Sequence, residues 1–123
     1  MNLWNNKNMN EVNDLTKKIL KFRNERNWKQ FHNPKDLAIS LSLEAAEVLE
    51  HFQWKSKEEI EEYVKTHKEH IGEELADVFY WILLISHDLK IDIIKASEKK
   101  LEKNKNKYPI EKAKGKHTKY NEL

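Results

Sequence analysis

Two glycines and two prolines are all that a chain of 123 residues offers for tight turns. A fold of many short strands needs a turn every few residues, and Gly and Pro are the main residues that supply them. The chain is therefore expected to be all-α, with four main helices on short connections, most simply an antiparallel four-helix bundle. At this length it fits one domain over 1–123, with a core of its own but no room for two. A hydrophobic share of 38% beside 36% charged residues predicts a thin helical protein with a strongly solvated exterior.

Several function classes lose support at once. The absence of Cys excludes disulfides and thiolate metal sites and fits a reducing, cytoplasmic setting. No apolar run approaches bilayer length and no apolar signal core opens the chain, so a soluble, untargeted protein with no membrane partner is expected. A formal charge of +2 is too small to imply nucleic acid as a partner.

Residues 1–9 are Asn-rich and polar and read as a frayed start. Val12, Leu15, Ile19 and Phe22 recur at helical spacing and predict a first helix from about Asn10 to Asn27. An aromatic connector, Trp28 to His32, leads to Asn33-Pro34, an N-cap followed by proline at the first helical position. The second helix should run from Pro34 to about Phe52. Leu37, Leu41, Val48 and Phe52 share one stripe, while Ile39 and Leu43 lie near the opposite side. A helix apolar on two faces is usually buried on two faces, which points to self-association.

Two Ser/Thr-x-x-Glu capping boxes, Ser56 with Glu59 and Thr66 with Glu69, predict a short helix over 57–65 and a restart near 67. The long third helix then carries Ile71, Leu75, Val78, Ile82, Ile85 and Leu89 on one stripe. Asp92 caps a fourth helix, Ile93 to Lys107, which Tyr108-Pro109 ends. A basic tail from about 110 reads as extended or partly ordered.

Within this frame two acidic pairs stand out, Glu44-x-x-Glu47 and Glu74-x-x-Asp77. Residues three apart are neighbours on one helix face, so each segment offers two carboxylates side by side. Taken alone, such a pair in a Lys/Glu-rich helix is ordinary solvated surface. Here, however, Glu44 borders the apolar stripe of its helix and Glu47 lies about 60° further round. Glu74, Asp77, Trp81 and Asp88 crowd within about 60° of one another on theirs. Four carboxylates brought together repel unless protonated or neutralised by a cation, and an all-oxygen set suits Mg²⁺, with Mn²⁺ as a substitute. A di-iron bundle site would need Glu-x-x-His, and no Glu here has His three residues later. Gly-rich phosphate loops and H-E-x-x-H are also missing. His67 and His70, in a Lys/Glu-rich turn, read as solvated. His32 beside Phe31 and Trp28 could grip a base at a groove mouth, although Phe31 reads equally as a hydrophobic staple. Trp54 and Trp81 are by residue type more often core, yet Trp81 shares its edge with two acids. The basic run Lys95 to Lys119 reads first as a solvated face and second as phosphate contacts.

These residues carry a resemblance. Glu25 to Pro34, Glu44-x-x-Glu47, Phe52-Gln53-Trp54, Glu73-Glu74-Leu-Ala-Asp77, Lys100-x-x-x-Asn104-x-x-Lys107-Tyr108-Pro109 and Lys119-Tyr120-x-Glu122-Leu123 follow one another as in the MazG-like, all-α nucleoside triphosphate pyrophosphohydrolases. The chain resembles most closely their dCTP pyrophosphatase branch, from the first helix to the C-terminus. The resemblance implies Mg²⁺-dependent hydrolysis of a (deoxy)nucleoside triphosphate, dCTP or a modified dCTP, to monophosphate and pyrophosphate, and thus nucleotide-pool housekeeping. It implies Glu44, Glu47, Glu74 and Asp77 as metal ligands, with Glu47 favoured as the group that activates water. Trp28, Phe31, His32, Trp54 and Trp81 match positions around the nucleotide, and Lys100, Asn104, Lys107 and Tyr108 match the stretch that approaches the phosphates. It further implies a homodimer or homotetramer with the site near a subunit interface. Two positions depart from the pattern: Ile19 stands where close relatives carry a base-contacting His, and Trp81 where they often carry Tyr. Both fall in the expected base pocket and leave the preference for dCTP open. The competing class is a non-enzymatic helical interaction protein whose acidic pairs are surface decoration.

Overall fold

In the computed structural model, residues 3–123 are described, with side chains from residue 11 onward. Helix α1 spans Leu3–Glu25, followed by a 3-10 turn at Lys29–Phe31. Helices α2 (Pro34–Glu50), α3 (Lys57–Asp88), α4 (Ile93–Lys107) and α5 (Ile110–Ala113) come next, and a second 3-10 turn closes the chain at Tyr120–Glu122. No strand occurs among the described residues. The fold is all-α, as the shortage of turn residues requires, but with five helices. They divide into two compact units, one ending at Lys90 and the other spanning Ile91–Leu123. The first unit packs α2 along α3 and α1 against α3. Its architecture is a three-helix arrangement, and the fourth main helix of the expected bundle belongs to the second unit.

Where the chain turns, it does so without glycine. Helix α1 ends on Asn27 at φ 54°, the left-handed conformation that asparagine tolerates better than most residues. The Trp28 N–H returns to the Arg23 carbonyl at 3.1 Å and the Asn27 N–H to the Asn24 carbonyl at 3.1 Å, the paired bonds of a Schellman ending. Lys90 takes the same conformation after α3 at φ 57°, its N–H returning to the His87 carbonyl at 3.0 Å. Glycine-poor sequence therefore hides two sharp stops.

Helix starts match the sequence more closely. The Asn33 side chain accepts from the Asp36 N–H at 2.9 Å with Pro34 behind it, and Asp92 accepts from the Lys95 N–H at 3.1 Å. Ser56 and Glu59 form the reciprocal capping box, each bond at 3.2 Å. The second expected box does not form. Thr66 Oγ1 instead donates back to the Tyr63 carbonyl at 3.3 Å, and α3 spans Lys57–Asp88 as two helical segments. What marks the expected break is a kink, with His67 at φ −122°, ψ 15° inside the helix.

Three boundaries also shift. Helix α1 begins at Leu3 instead of near Asn10, so residues 3–9 of the expected frayed start are helical, and residues 1–2 lie outside the described residues. Helix α2 stops at Glu50, and His51 to Trp54 form a turn. The tail from 110 carries one helical turn and one 3-10 turn.

Burial corrects the reading of α3. Leu83 and Leu84 are its fully buried apolar residues, joined by Leu37 of α2 and Ile19 of α1, whereas Leu75 and Leu89 of the expected stripe are about half exposed. The helix packs against both α2 and α1, so its deepest positions are not those of a single stripe. Arg23 is also among the most buried side chains, 1% exposed, and forms a two-pronged ion pair with Asp88 at 2.8 and 2.9 Å. This pair ties α1 to the end of α3. On α2, Ile39 and Leu43 remain 48% and 62% exposed, so the second apolar face seen in the sequence stays uncovered within one chain.

Candidate active site

The two acidic pairs meet where α2 runs along α3. Glu44, Glu47 and Asp77 each present a carboxylate oxygen within 4.8 Å of the others. Glu44 is the inner member and Glu47 and Asp77 are exposed. Removal from water raises the Glu44 carboxyl above its usual range, and a hydrogen bond with Glu47 and the charges of Glu47, Asp77 and Glu74 push in the same direction. One Glu44 oxygen, Oε2, is buried without a hydrogen-bond partner. A buried acceptor left unmet is costly, and a cation supplies what no neighbouring donor does. The residues present thus fit a hard divalent metal: oxygen donors only, mutually repelling, with one acceptor unsatisfied.

Glu74 is set differently from the expectation that all four acids converge equally. Its Oε2 lies 2.6 Å from His51 Nε2, outside the three-carboxylate group. The His51 ring meets the Tyr63 hydroxyl on its other side, Nδ1 to Oη 2.6 Å.

A cavity of about 470 Å³ opens beside the acids, lined by Lys18, Ile19, Phe22, Trp28, Glu44, Asp77, Tyr80 and Trp81. Its walls are aromatic and interlocked. Phe22 meets Trp28 edge to face at 5.6 Å and Tyr80 at 6.3 Å, and Tyr80 meets Trp81 at 4.9 Å. Such T-shaped contacts fix ring planes, and the Arg26 guanidinium covers one face of Phe22, 3.8 Å from its ring centre. Trp28, Glu44, Asp77 and Trp81 therefore line one concavity, two carboxylates beside two indoles.

Other expected nucleotide positions fall elsewhere. His32 touches Trp81 edge-on at 5.6 Å but lines a neighbouring cavity with Lys29, His87 and Asp88. Its Nδ1 is 3.4 Å from the Arg23 guanidinium, and burial first, then that guanidinium, hold its pKa down. His32 buttresses Trp81 from behind, away from the main cavity. Phe31 is 64% exposed and Trp54 is 88% exposed, and neither lines the cavity. In the second unit, Lys100 and Asn104 share a shallow groove on α4, while Tyr108 packs edge-on against Tyr120 at 6.1 Å and Lys107 Nζ sits 4.7 Å from the Tyr120 ring centre.

Sequence reading missed Tyr80, Phe22 and Lys18 as wall residues. Tyr80 precedes Trp81 and points about 100° away on an isolated wheel. Both reach one cavity because α1 packs against α3 and supplies Lys18, Ile19 and Phe22 to the same wall. Phe22 looked like core of its own helix, and only the position of that helix makes it a wall.

The fold and site together define an all-α protein with a carboxylate centre at the mouth of an aromatic pocket. The MazG-like family matches residues 39–123, and the chain belongs to that family. Among curated relatives, the proteins named dCTP pyrophosphatase 1 of Rattus norvegicus and of Mus musculus are each 32% identical over 114 residues. The aligned part is 91% of this chain and 67% of either relative. A solved pyrophosphatase of Archaeoglobus fulgidus is 40% identical, with a TM-score of 0.77 over 80% of this chain and 93% of that one. The chain is an enzyme of the pyrophosphatase kind.

Proposed function

We propose that the chain, acting as one catalytic domain, hydrolyses a (deoxy)nucleoside triphosphate to the monophosphate and pyrophosphate, with dCTP or a modified dCTP as substrate. The observation that carries this reading is the shared concavity: Glu44 and Asp77 belong both to the carboxylate trio and to the wall of the aromatic pocket. A base held between aromatic faces would bring its phosphates to the acids. The names of the relatives, dCTP pyrophosphatase 1, support the choice of base.

Glu44, Glu47 and Asp77, with Glu74 beside them, would hold Mg²⁺, and Mn²⁺ in its place. When bound, such an ion supplies charge neutralisation at phosphate oxygens and lowers the pKa of water. The protein's own part is positional and proton-moving. Trp28 and Trp81 orient the base, with His32 fixing the Trp81 ring from behind. Glu47, exposed at the rim, takes a proton from the attacking water. Water adds to one phosphorus and the bridging P–O bond to the pyrophosphate breaks; on the family resemblance alone, Lys100 and Lys107 would balance phosphate charge and Asn104 and Tyr108 would offer it hydrogen bonds.

Self-association belongs to the same reading. Ile39, Leu43 and the almost fully exposed Trp54 leave apolar surface that a homodimer or homotetramer would cover. Replacing Ile39 and Leu43 together by Ser should lower the sedimentation mass of the protein. An unchanged mass would place the interface elsewhere.

The deciding experiment is a panel of nucleoside triphosphates with Mg²⁺, scored separately for pyrophosphate and orthophosphate. Pyrophosphate with monophosphate is the expected pair. Orthophosphate alone, or no turnover of any triphosphate, would refute the proposal.

A further inference from the structure

His51 belongs to none of the acidic or aromatic signatures, yet it is the most enclosed side chain touching the acids, with 9% of it exposed. It caps α2, its backbone N–H returning to the Val48 and Leu49 carbonyls, so its position follows the end of that helix. Its ring spans the kink of α3. On one side is Tyr63, four residues before His67, and on the other is Glu74, seven residues after it. Tyr63 is itself immobilised, stacked on the His67 ring at 3.8 Å and 6° and covered by Lys55 Nζ at 4.2 Å. The tautomer that satisfies both neighbours accepts from the Tyr63 hydroxyl at Nδ1 and presents a proton on Nε2 to Glu74 Oε2. The 2.6 Å approach is not in line with the ring N–H, so Nε2 and Oε2 both retain unmet bonding capacity in a buried place.

We infer that His51 is a positioning residue for the carboxylate centre: held by Tyr63, it fixes Glu74 through Oε2 beside the group of Glu44, Glu47 and Asp77, and leaves Oε1 as the oxygen with which Glu74 would join them when a divalent ion is bound. The inference rests on the proposal that these carboxylates bind a divalent ion. Ligating carboxylates are commonly held by an outer hydrogen bond that fixes their direction, and losing that bond weakens metal binding roughly 10- to 100-fold. Among the described residues, His51 is the group placed to give Glu74 such a bond while also touching both halves of the kinked helix.

The test is Mn²⁺ binding without any nucleotide, read as loss of the free-ion electron paramagnetic resonance signal during titration. The wild-type chain, His51→Leu and His51→Gln should be compared, each again in a Glu74→Gln background. His51→Leu should weaken Mn²⁺ binding roughly 10-fold or more. His51→Gln, whose amide can still donate to Glu74, should restore most of it. In the Glu74→Gln background the His51 substitutions should add nothing, because the residue acts through that carboxylate. Equal Mn²⁺ affinity in His51→Leu and wild type would overturn the inference, as would a loss in His51→Gln as large as in His51→Leu. The same loss in both backgrounds would overturn it too. A wild-type chain that takes up no Mn²⁺ would refute the carboxylate-centre reading itself, a result distinct from the other three.

Discussion

Replacing Asp88 by Asn should destabilise the first unit far more than its partly exposed position suggests. The reason lies in its partner. The Arg23 side chain is 1% exposed and reaches Asp88 with both terminal nitrogens, at 2.8 and 2.9 Å. Asp88→Asn keeps the shape and one acceptor but strands a guanidinium in the interior, and its Nε already lacks a partner. Breaking a buried pair from one side costs about 3–5 kcal/mol, so about 3 kcal/mol is expected where one hydrogen bond survives. At roughly 4–8 °C per kcal/mol in a unit of this size, the melting temperature should fall by about 12–24 °C. Arg23→Met should cost less, about 1–2 kcal/mol, because the carboxylate left behind retains some water contact. The assay is urea unfolding followed by circular dichroism at fixed chain concentration, with unchanged slope confirming that stability alone has changed. Acid supplies an independent check. The hydrogen bond from Arg23 holds the Asp88 carboxyl below its usual pKa, so its stabilisation is complete above the unfolded value near 3.8 and is lost as pH falls through the lower folded value. The gap between wild type and Asp88→Asn should therefore narrow only below about pH 4. A cost for Asp88→Asn under about 1 kcal/mol, or one smaller than that of Arg23→Met, would refute the argument.

Three further outcomes are expected. Mg²⁺ should raise the melting temperature of the wild-type chain in proportion to binding, and Glu44→Gln or Asp77→Asn should erase that rise, as a thermal melt series would show. Trp81→Ala should raise KM for the substrate by about 5- to 100-fold, the equivalent of one stacked base, while leaving Mg²⁺ affinity in the nucleotide-free chain unchanged in the same melts. Ser56→Ala removes one bond of the capping box and should cost about 1 kcal/mol in urea unfolding, with no change in turnover.

Much of this molecule follows from chain chemistry alone. Scarce Gly and Pro with helical apolar spacing dictate an all-α fold, and Asn33, Ser56 and Asp92 announce three helix starts because capping is a contact among residues three apart. The acidic pairs are equally local, since an i, i+3 spacing places two carboxylates together on any helix. Helix ends were harder, because Asn27 and Lys90 adopt left-handed conformations that glycine would have advertised. Tertiary structure alone decided which acids converge. Glu44, Glu47 and Asp77 come from two helices whose register is set by packing, and Glu74 stands beside that group against His51, whose enclosure depends on where α2 stops. It also decided the depth of Leu83, Leu84 and Arg23, which lie where α3 meets two neighbours at once. A helical wheel gives each residue a direction around its own axis. Only the neighbouring helices determine whether that direction ends in water, in core or against another carboxylate.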